Sequence, residues 1–151
     1  MEMNPDKNQL DEPEIPEVLP DESWPTDRLI EATRDKNMLV RSNAVSLLSA
    51  REGPEVVEAL IQAMKDEDYV VRSNAMVRLS ERGTAVLDRV LEALNDPDEE
   101  IRAGAAWVLG ELKDPRAIEP LQKAMDDENM VVRIQAKASL MAMGVTASQK
   151  K

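Results

Sequence analysis

The stretch that decides the fold is DPDEEIRAGAAWVL, residues 96–109. It holds an Asp, an Arg six positions later, an Ala three positions after the Arg, and a Leu four positions after the Ala. This pattern occurs four times, and successive arginines are 31, 30 and 31 residues apart. The copies are Asp35/Arg41/Ala44/Leu48, Asp66/Arg72/Ala75/Leu79, Asp96/Arg102/Ala105/Leu109 and Asp127/Arg133/Ala136/Leu140. A period near thirty with two helices per unit is typical of a helical solenoid, in which each unit buries its apolar face against its neighbours.

Helix pairs are predicted throughout the region that follows Trp24. Pro25, Pro54, Thr84 and Pro115 mark helix starts, because the first helical turn needs no proline N–H and favours a capping oxygen. The predicted first helices lie near residues 25–35, 54–66, 84–95 and 115–126, and the second helices near 38–50, 69–82, 98–112 and 129–143. Short loops between them force antiparallel packing.

The composition excludes several classes of chemistry. The 151 residues include neither Cys nor His, which removes disulfides, Cys/His zinc sites, thiolate nucleophiles and an imidazole base. Acid runs recur at turns before second helices, where carboxylates complement the helix dipole, and they lack the alternating spacing of a calcium loop. We therefore expect no catalytic residue, no metal ligand, no cofactor and no enzymatic activity.

The net charge of −11 argues against nucleic acid or an anionic membrane as ligand. Residues 1–23 hold eight acids and one lysine, a net of −7, whereas residues 24–151 carry only −4. Four prolines and no apolar period accompany the acids, so residues 1–23 are predicted to be a disordered acidic tail. Residues 24–144 form the repeat domain and residues 145–151 a frayed end. No run of apolar residues approaches a membrane span, and we expect a cytoplasmic, soluble protein.

The stretch from Ile101 to Leu121, IRAGAAWVLGELKDPRAIEPL, resembles the HEAT-like repeats of the phycobilin-lyase type. The resemblance covers roughly residues 25–144, and its third and fourth units match best. It implies an α-α superhelix, an all-α solenoid of four HEAT-like helix pairs, whose second helices line a concave surface. It implies no chemistry, because such repeats occur in lyases, adaptors and assembly factors alike.

A structural ladder is predicted from the repeated charges. An active site needs one constellation, whereas a charged pair in every unit suits a structural role. The resemblance implies that Asp and Arg pair within and between units and connect loop to helix. The ladder residues are Asp35, Arg41, Asp66, Arg72, Asp96, Arg102, Asp127 and Arg133.

A candidate binding face follows from helix geometry, in which each residue turns about 100°. Positions three before, one after and five after each repeated Arg point away from the predicted core. Several of them, with adjacent polar positions, hold apolar, aromatic or amide side chains where a merely solvated face would be charged. The predicted partner-binding residues are Met38, Tyr69, Ser73, Asn74, Val77, Trp107, Met130, Ile134 and Gln135.

The sequence thus favours a non-enzymatic protein-binding adaptor or assembly factor that uses the concave face of the solenoid. The alternative is an accessory subunit of a bilin lyase-isomerase or of another cofactor-processing complex. Packing between helices could also cover the candidate face, and the acidic tail could contact it within the same molecule.

Overall fold

The computed structural model describes residues 15–146 and contains, in that part of the chain, α-helices and two short 3-10 turns but no strand. The first helices of the four pairs are α1 (Thr26–Ala32), α3 (Pro54–Ala63), α5 (Leu87–Ala93) and α7 (Ile118–Ala124). The second helices are α2 (Met38–Leu48), α4 (Tyr69–Ser80), α6 (Glu99–Leu112) and α8 (Met130–Ala142). The 3-10 turns Gly83–Val86 and Pro115–Ala117 lead into α5 and α7. The predicted all-α solenoid of four helix pairs is confirmed.

The repeated apolar columns form the core. The Leu column of the second helices, Leu48, Leu79, Leu109 and Leu140, is buried in full or nearly so, as is the Ala column four residues before it in each helix. Leu29, Leu60, Val90 and Leu121 contribute the matching column from the first helices, and each is fully buried. Each unit therefore completes its core with side chains of its neighbours, as a solenoid requires.

The second helices form the closely packed layer of the stack. Each of α2, α4 and α6 packs on the next second helix, and the approach of α8 to α6 is the most extensive. At Gly110 an added Cβ would lie 2.5 Å from the Ser139 Oγ, so only a glycine allows this approach. The Ser139 hydroxyl donates a 2.7 Å hydrogen bond to the Ala106 carbonyl across the two helices. The first helices contact one another much less, which places them on the longer, outer side of the stack.

The N-terminal end of the stack is covered by residues that precede α1. Residues 1–14 of the predicted tail and residues 147–151 lie outside the described residues. Residues 15–23 contain no helix or strand, and Pro20 is buried. Trp24 packs on Ala32, Val40 and Ala44 of the first unit. The part of the chain just before α1 thus takes the place that a preceding unit would occupy.

None of the helices in residues 15–146 combines the length and the apolar character that crossing a membrane needs.

Candidate protein-binding face

The loop before each second helix has the same hydrogen-bonded structure. In the second unit the Asp66 carboxylate accepts a 2.9 Å hydrogen bond from the Asp68 N–H, and the Asp68 carboxylate accepts from the Val70 N–H at 2.8 Å. Asn37, Asp98 and Asn129 cap the other second helices in the same way. The caps satisfy N–H groups that the helix leaves free and fix the direction of its first turn. The first two residues of each second helix are thereby placed along one edge of the stack.

The ladder joins neighbouring units at two of its positions. Arg41 donates to both oxygens of Asp66 in the next unit, at 2.8 and 3.1 Å. Arg102 binds Asp127 in the same two-pronged way, at 3.0 and 3.1 Å. A planar guanidinium suits such paired bonds to a carboxylate. The remaining nitrogen, Nη1, binds backbone carbonyls in the loop of its own unit.

The other two ladder arginines have different surroundings. Arg72 also binds the carbonyls of its own loop, but its Nε lies 3.9 Å from Glu100 rather than on Asp96. Arg133 binds the carbonyls of Asp127 and Glu128. Within a unit, therefore, the Arg side chain meets the backbone of the loop, and the carboxylate it binds, where there is one, belongs to the next unit.

The pair in the last two units also changes the acidity of its carboxyl. Burial by itself raises the pKa of Asp127, but hydrogen bonds from the Arg102 guanidinium and the Asn129 N–H outweigh it, and the pKa lies below its ordinary value. The hydrogen bond to Asp127 likewise raises the pKa of Arg102. The folded protein is therefore more stable when Asp127 is ionised than when it is protonated.

Two further arginines connect units and were missed in the sequence. Arg82 donates from Nη2 to the carbonyls of Leu48 and Arg51 in the preceding unit. Arg51, 31 residues earlier, reaches back to the carbonyls of Glu22 and Trp24. Their spacing equals the repeat period, and this was the available signal. It occurs in two units only, which makes it weaker than the fourfold ladder.

The predicted partner-binding residues do not share one environment. Tyr69, Met130 and Ile134 expose 69, 60 and 60% of their surface, and Val77 is also exposed. Met38, Ser73, Asn74, Trp107 and Gln135 are half-buried.

Three of the half-buried residues make defined contacts. The Asn74 amide donates to the Ser42 carbonyl and the Ser46 hydroxyl of the preceding unit, at 3.2 and 2.8 Å. Gln135 binds Ser139 on the same helix. Trp107 packs against the hydrophobic core. These residues support the face from below, and the exposed apolar residues form its surface.

Exposed valines extend the apolar surface beyond the predicted set. Val70 and Val131 follow Tyr69 and Met130 directly, and more than half of the surface of each is exposed. Met141, near the end of α8, is exposed as well. The two valines, two positions before the repeated Arg, point about 20° beyond the predicted face and extend it on each helix.

A groove lies at the connections between successive units. A cavity of about 750 Å³ is lined by the α2–α3 and α4–α5 connections, and its charged groups include Arg89 and Glu58. Arg89 donates two hydrogen bonds to Glu58, at 3.0 and 3.1 Å. Among the described residues no cluster of carboxylates is arranged to hold a metal ion.

Comparison with known families identifies the repeat. The model of HEAT repeats matches residues 26–93 and 87–150, which together cover most of the chain. The chain belongs to the HEAT repeat family. This confirms the HEAT-like character expected from the residues around Trp107.

Among solved structures, this HEAT-repeat chain is similar to human deoxyhypusine hydroxylase in complex with glycerol. The sequences are 25% identical, the TM-score is 0.61, and the match covers 84% of this chain and 46% of the other. The chain thus spans less than half the length of that protein, whose name marks it as an enzyme. A search of curated proteins gave no match.

Proposed function

We propose that this HEAT-repeat protein is a non-enzymatic, cytoplasmic adaptor or assembly factor that binds another protein through its second-helix face. The observation that carries the proposal is the exposed apolar surface formed by Tyr69, Val70, Met130, Val131 and Ile134. Exposed apolar and aromatic side chains on a helical surface are typical of the centre of a protein interface. The layer that bears them is the closely packed, inner one, which suits the concave binding surface of a solenoid.

Tyr69 and Met130 are the proposed anchors of the partner. An aromatic ring buries much area and loses few rotamers when it is fixed, and a thioether adapts to an irregular contact. The Arg72 guanidinium lies 5.8 Å from the centre of the Tyr69 ring, which restrains the ring before a partner arrives. A non-enzymatic role agrees with the lack of His and Cys and with a ladder whose guanidinium groups are engaged with loops and neighbouring units.

Affinity capture with the full chain, followed by calorimetry on variants, tests the proposal. Tyr69→Ala and Met130→Ala should each weaken binding of the captured partner by about 2 kcal/mol or more, as anchor residues do, without loss of helical circular dichroism. Lys123→Ala, at an exposed position of α7 on the outer layer, is the matched control and should bind normally. Unchanged affinity in both test variants would place the interface elsewhere.

The accessory subunit of a bilin lyase-isomerase, or of another cofactor-processing complex, stays the alternative. The same capture experiment separates the two, because that role requires a bilin-binding or cofactor-processing protein as the partner.

A further inference from the structure

Exposed apolar pairs recur along the edge formed by the first turns of the second helices. Tyr69 and Val70 begin α4, and Met130 and Val131 begin α8, each with at least half of its surface exposed. The helix between them, α6, begins with Glu99 and Glu100 at the same positions, both exposed. Two apolar pairs, on α4 and α8, thus flank one acidic pair on α6.

The acidic pair on α6 also makes contacts with the units on both of its sides. Glu100 is 3.9 Å from Arg72 of the preceding unit, and Glu99 accepts a 2.9 Å hydrogen bond from Asn129 of the following one. The two carboxylates therefore contact the two units that carry the apolar pairs. A ligand that covers Tyr69 and Met130 together must cross them.

The charge of the folded region is concentrated at this edge. We define the first-turn edge as residues 65–70, 95–100 and 126–131, which hold ten carboxylates and one lysine. With the four ladder arginines, whose side chains contact these loops, the net charge is −5, whereas the whole of residues 24–151 carries −4. The rest of that region is therefore near neutral, and the negative potential around the apolar pairs is local. Complementary potentials of this kind select the partner and raise its association rate.

We infer that the first-turn edge binds an extended, basic segment of the protein partner, with a cationic side chain on Glu99 and Glu100 between two apolar side chains. Packed helices lie about 8–10 Å apart, so the two apolar pairs are separated by about 16–20 Å. An extended chain advances about 3.3 Å per residue, so this distance corresponds to about six residues. The segment therefore reads apolar-x-x-basic-x-x-apolar. This inference rests on the proposed function and specifies its partner.

The same charges exclude the acidic tail as occupant of this edge. Residues 1–23 carry a net charge of −7, and like charges brought together at an interface cost binding energy. The intramolecular contact expected for the tail would therefore have to lie elsewhere.

Fluorescence anisotropy with three labelled seven-residue peptides tests the inference on the full chain. Each peptide has leucine at both ends and serine elsewhere, and the central residue is arginine, serine or glutamate. At low salt the arginine peptide should bind at least about fivefold more tightly than the serine peptide and more tightly still than the glutamate peptide, since surface charges act strongly when little salt screens them. Added salt at about 0.5 M should remove most of this preference.

Variants of the protein test whether the preference for the arginine peptide arises at the first-turn edge. The combined change Glu99→Gln and Glu100→Gln keeps an acceptor for Asn129 and should reduce the arginine preference to less than about twofold, as expected when the charges are gone. Glu119→Gln, at an exposed position on α7, is the matched control and should keep the preference. Tyr69→Ala should weaken all three peptides equally.

Equal affinity for the three peptides, or no measurable binding of the arginine peptide, would overturn the inference. If the peptides bind equally and Tyr69→Ala weakens them all, the face binds protein but does not select for the charge of the central residue. If Tyr69→Ala affects neither the peptides nor a captured partner, the proposed function is itself wrong.

Discussion

Arg102 donates two parallel hydrogen bonds, of 3.0 and 3.1 Å, to the Asp127 carboxylate of the following unit, and both side chains are largely buried. Arg41 and Asp66 repeat the arrangement two units earlier. The two pairs join the loops of the second and fourth units to the units before them, and those loops lead into the first turns of α4 and α8 that carry the proposed binding face. The same loops therefore stabilise the fold and position the proposed binding face.

Replacing Arg102 with Ala should destabilise the fold by about 3–5 kcal/mol, because it leaves the Asp127 carboxylate buried without its partner. Arg133→Ala is the matched control: this arginine binds only backbone carbonyls among the described residues, and its loss should cost about 1–2 kcal/mol. Urea denaturation of both variants measures the difference. Equal losses would show that the carboxylate contact adds nothing.

The stability of the fold should fall in acid partly through Asp127. Its folded pKa lies below the ordinary value of 3.8, so on acidification the unfolded chain takes up this proton first. The contribution is complete above the ordinary value and is lost as the pH falls through the lower, folded value. Denaturation midpoints measured from pH 6 downward, to about pH 2, should therefore decline less steeply for Asp127→Asn than for the parent. A decline for Asp127→Asn that runs parallel to that of the parent would contradict the assignment.

Gly110→Ala should destabilise the protein by about 1–3 kcal/mol, even though alanine favours helices more than glycine does. The new Cβ would lie 2.7 Å from the Ser139 Cβ and 3.0 Å from its Cα, so α8 would have to move. Ser80→Ala, at the same position of the second unit, should change stability by less than about 0.5 kcal/mol, as most surface substitutions do. Thermal melts of the pair decide between these outcomes, and a stabilised Gly110→Ala protein would mean that the helices are not in close contact.

Leu79→Ala and Leu109→Ala should each cost about 2–5 kcal/mol, the usual loss for a core leucine. Both side chains are fully buried in the column that runs through all four units. Denaturant melts that show less than about half a kcal/mol for both would refute the packing register.

Trp107 and Tyr69 should separate stability from binding. Trp107 packs against the core, so Trp107→Ala should lower the free energy of unfolding by about 2 kcal/mol or more. Tyr69 projects into solvent, and Tyr69→Ala should change stability little while it weakens partner binding. Melts and calorimetry on the same two samples make the comparison. If Trp107→Ala lost affinity at unchanged stability, Trp107 would be a partner-binding residue, as the sequence predicted.

The candidate site could be predicted only in part. Tyr69, Met130 and Ile134 follow from rotation about the helix axis, which is a local property. Trp107 shares that rotation, yet its large side chain packs against the core and lies half-buried. Val70 and Val131 point only about 20° beyond the predicted face, so rotation is compatible with their exposure as well. Exposure depends on what the neighbouring unit covers, and no single helix specifies that.

The sequence by itself determined the units, their helices and their apolar columns, because periods of 3.6 and about 30 residues are written directly into the chain. Only the tertiary structure decided which charges meet. Arg41 and Arg102 bind the Asp of the next unit, whereas Arg72 lies nearest Glu100, although the three share one sequence pattern. A repeat of constant period allows contacts within a unit and between units equally well. The choice is made by how neighbouring units pack on one another, and that packing depends on side chains of both units at once.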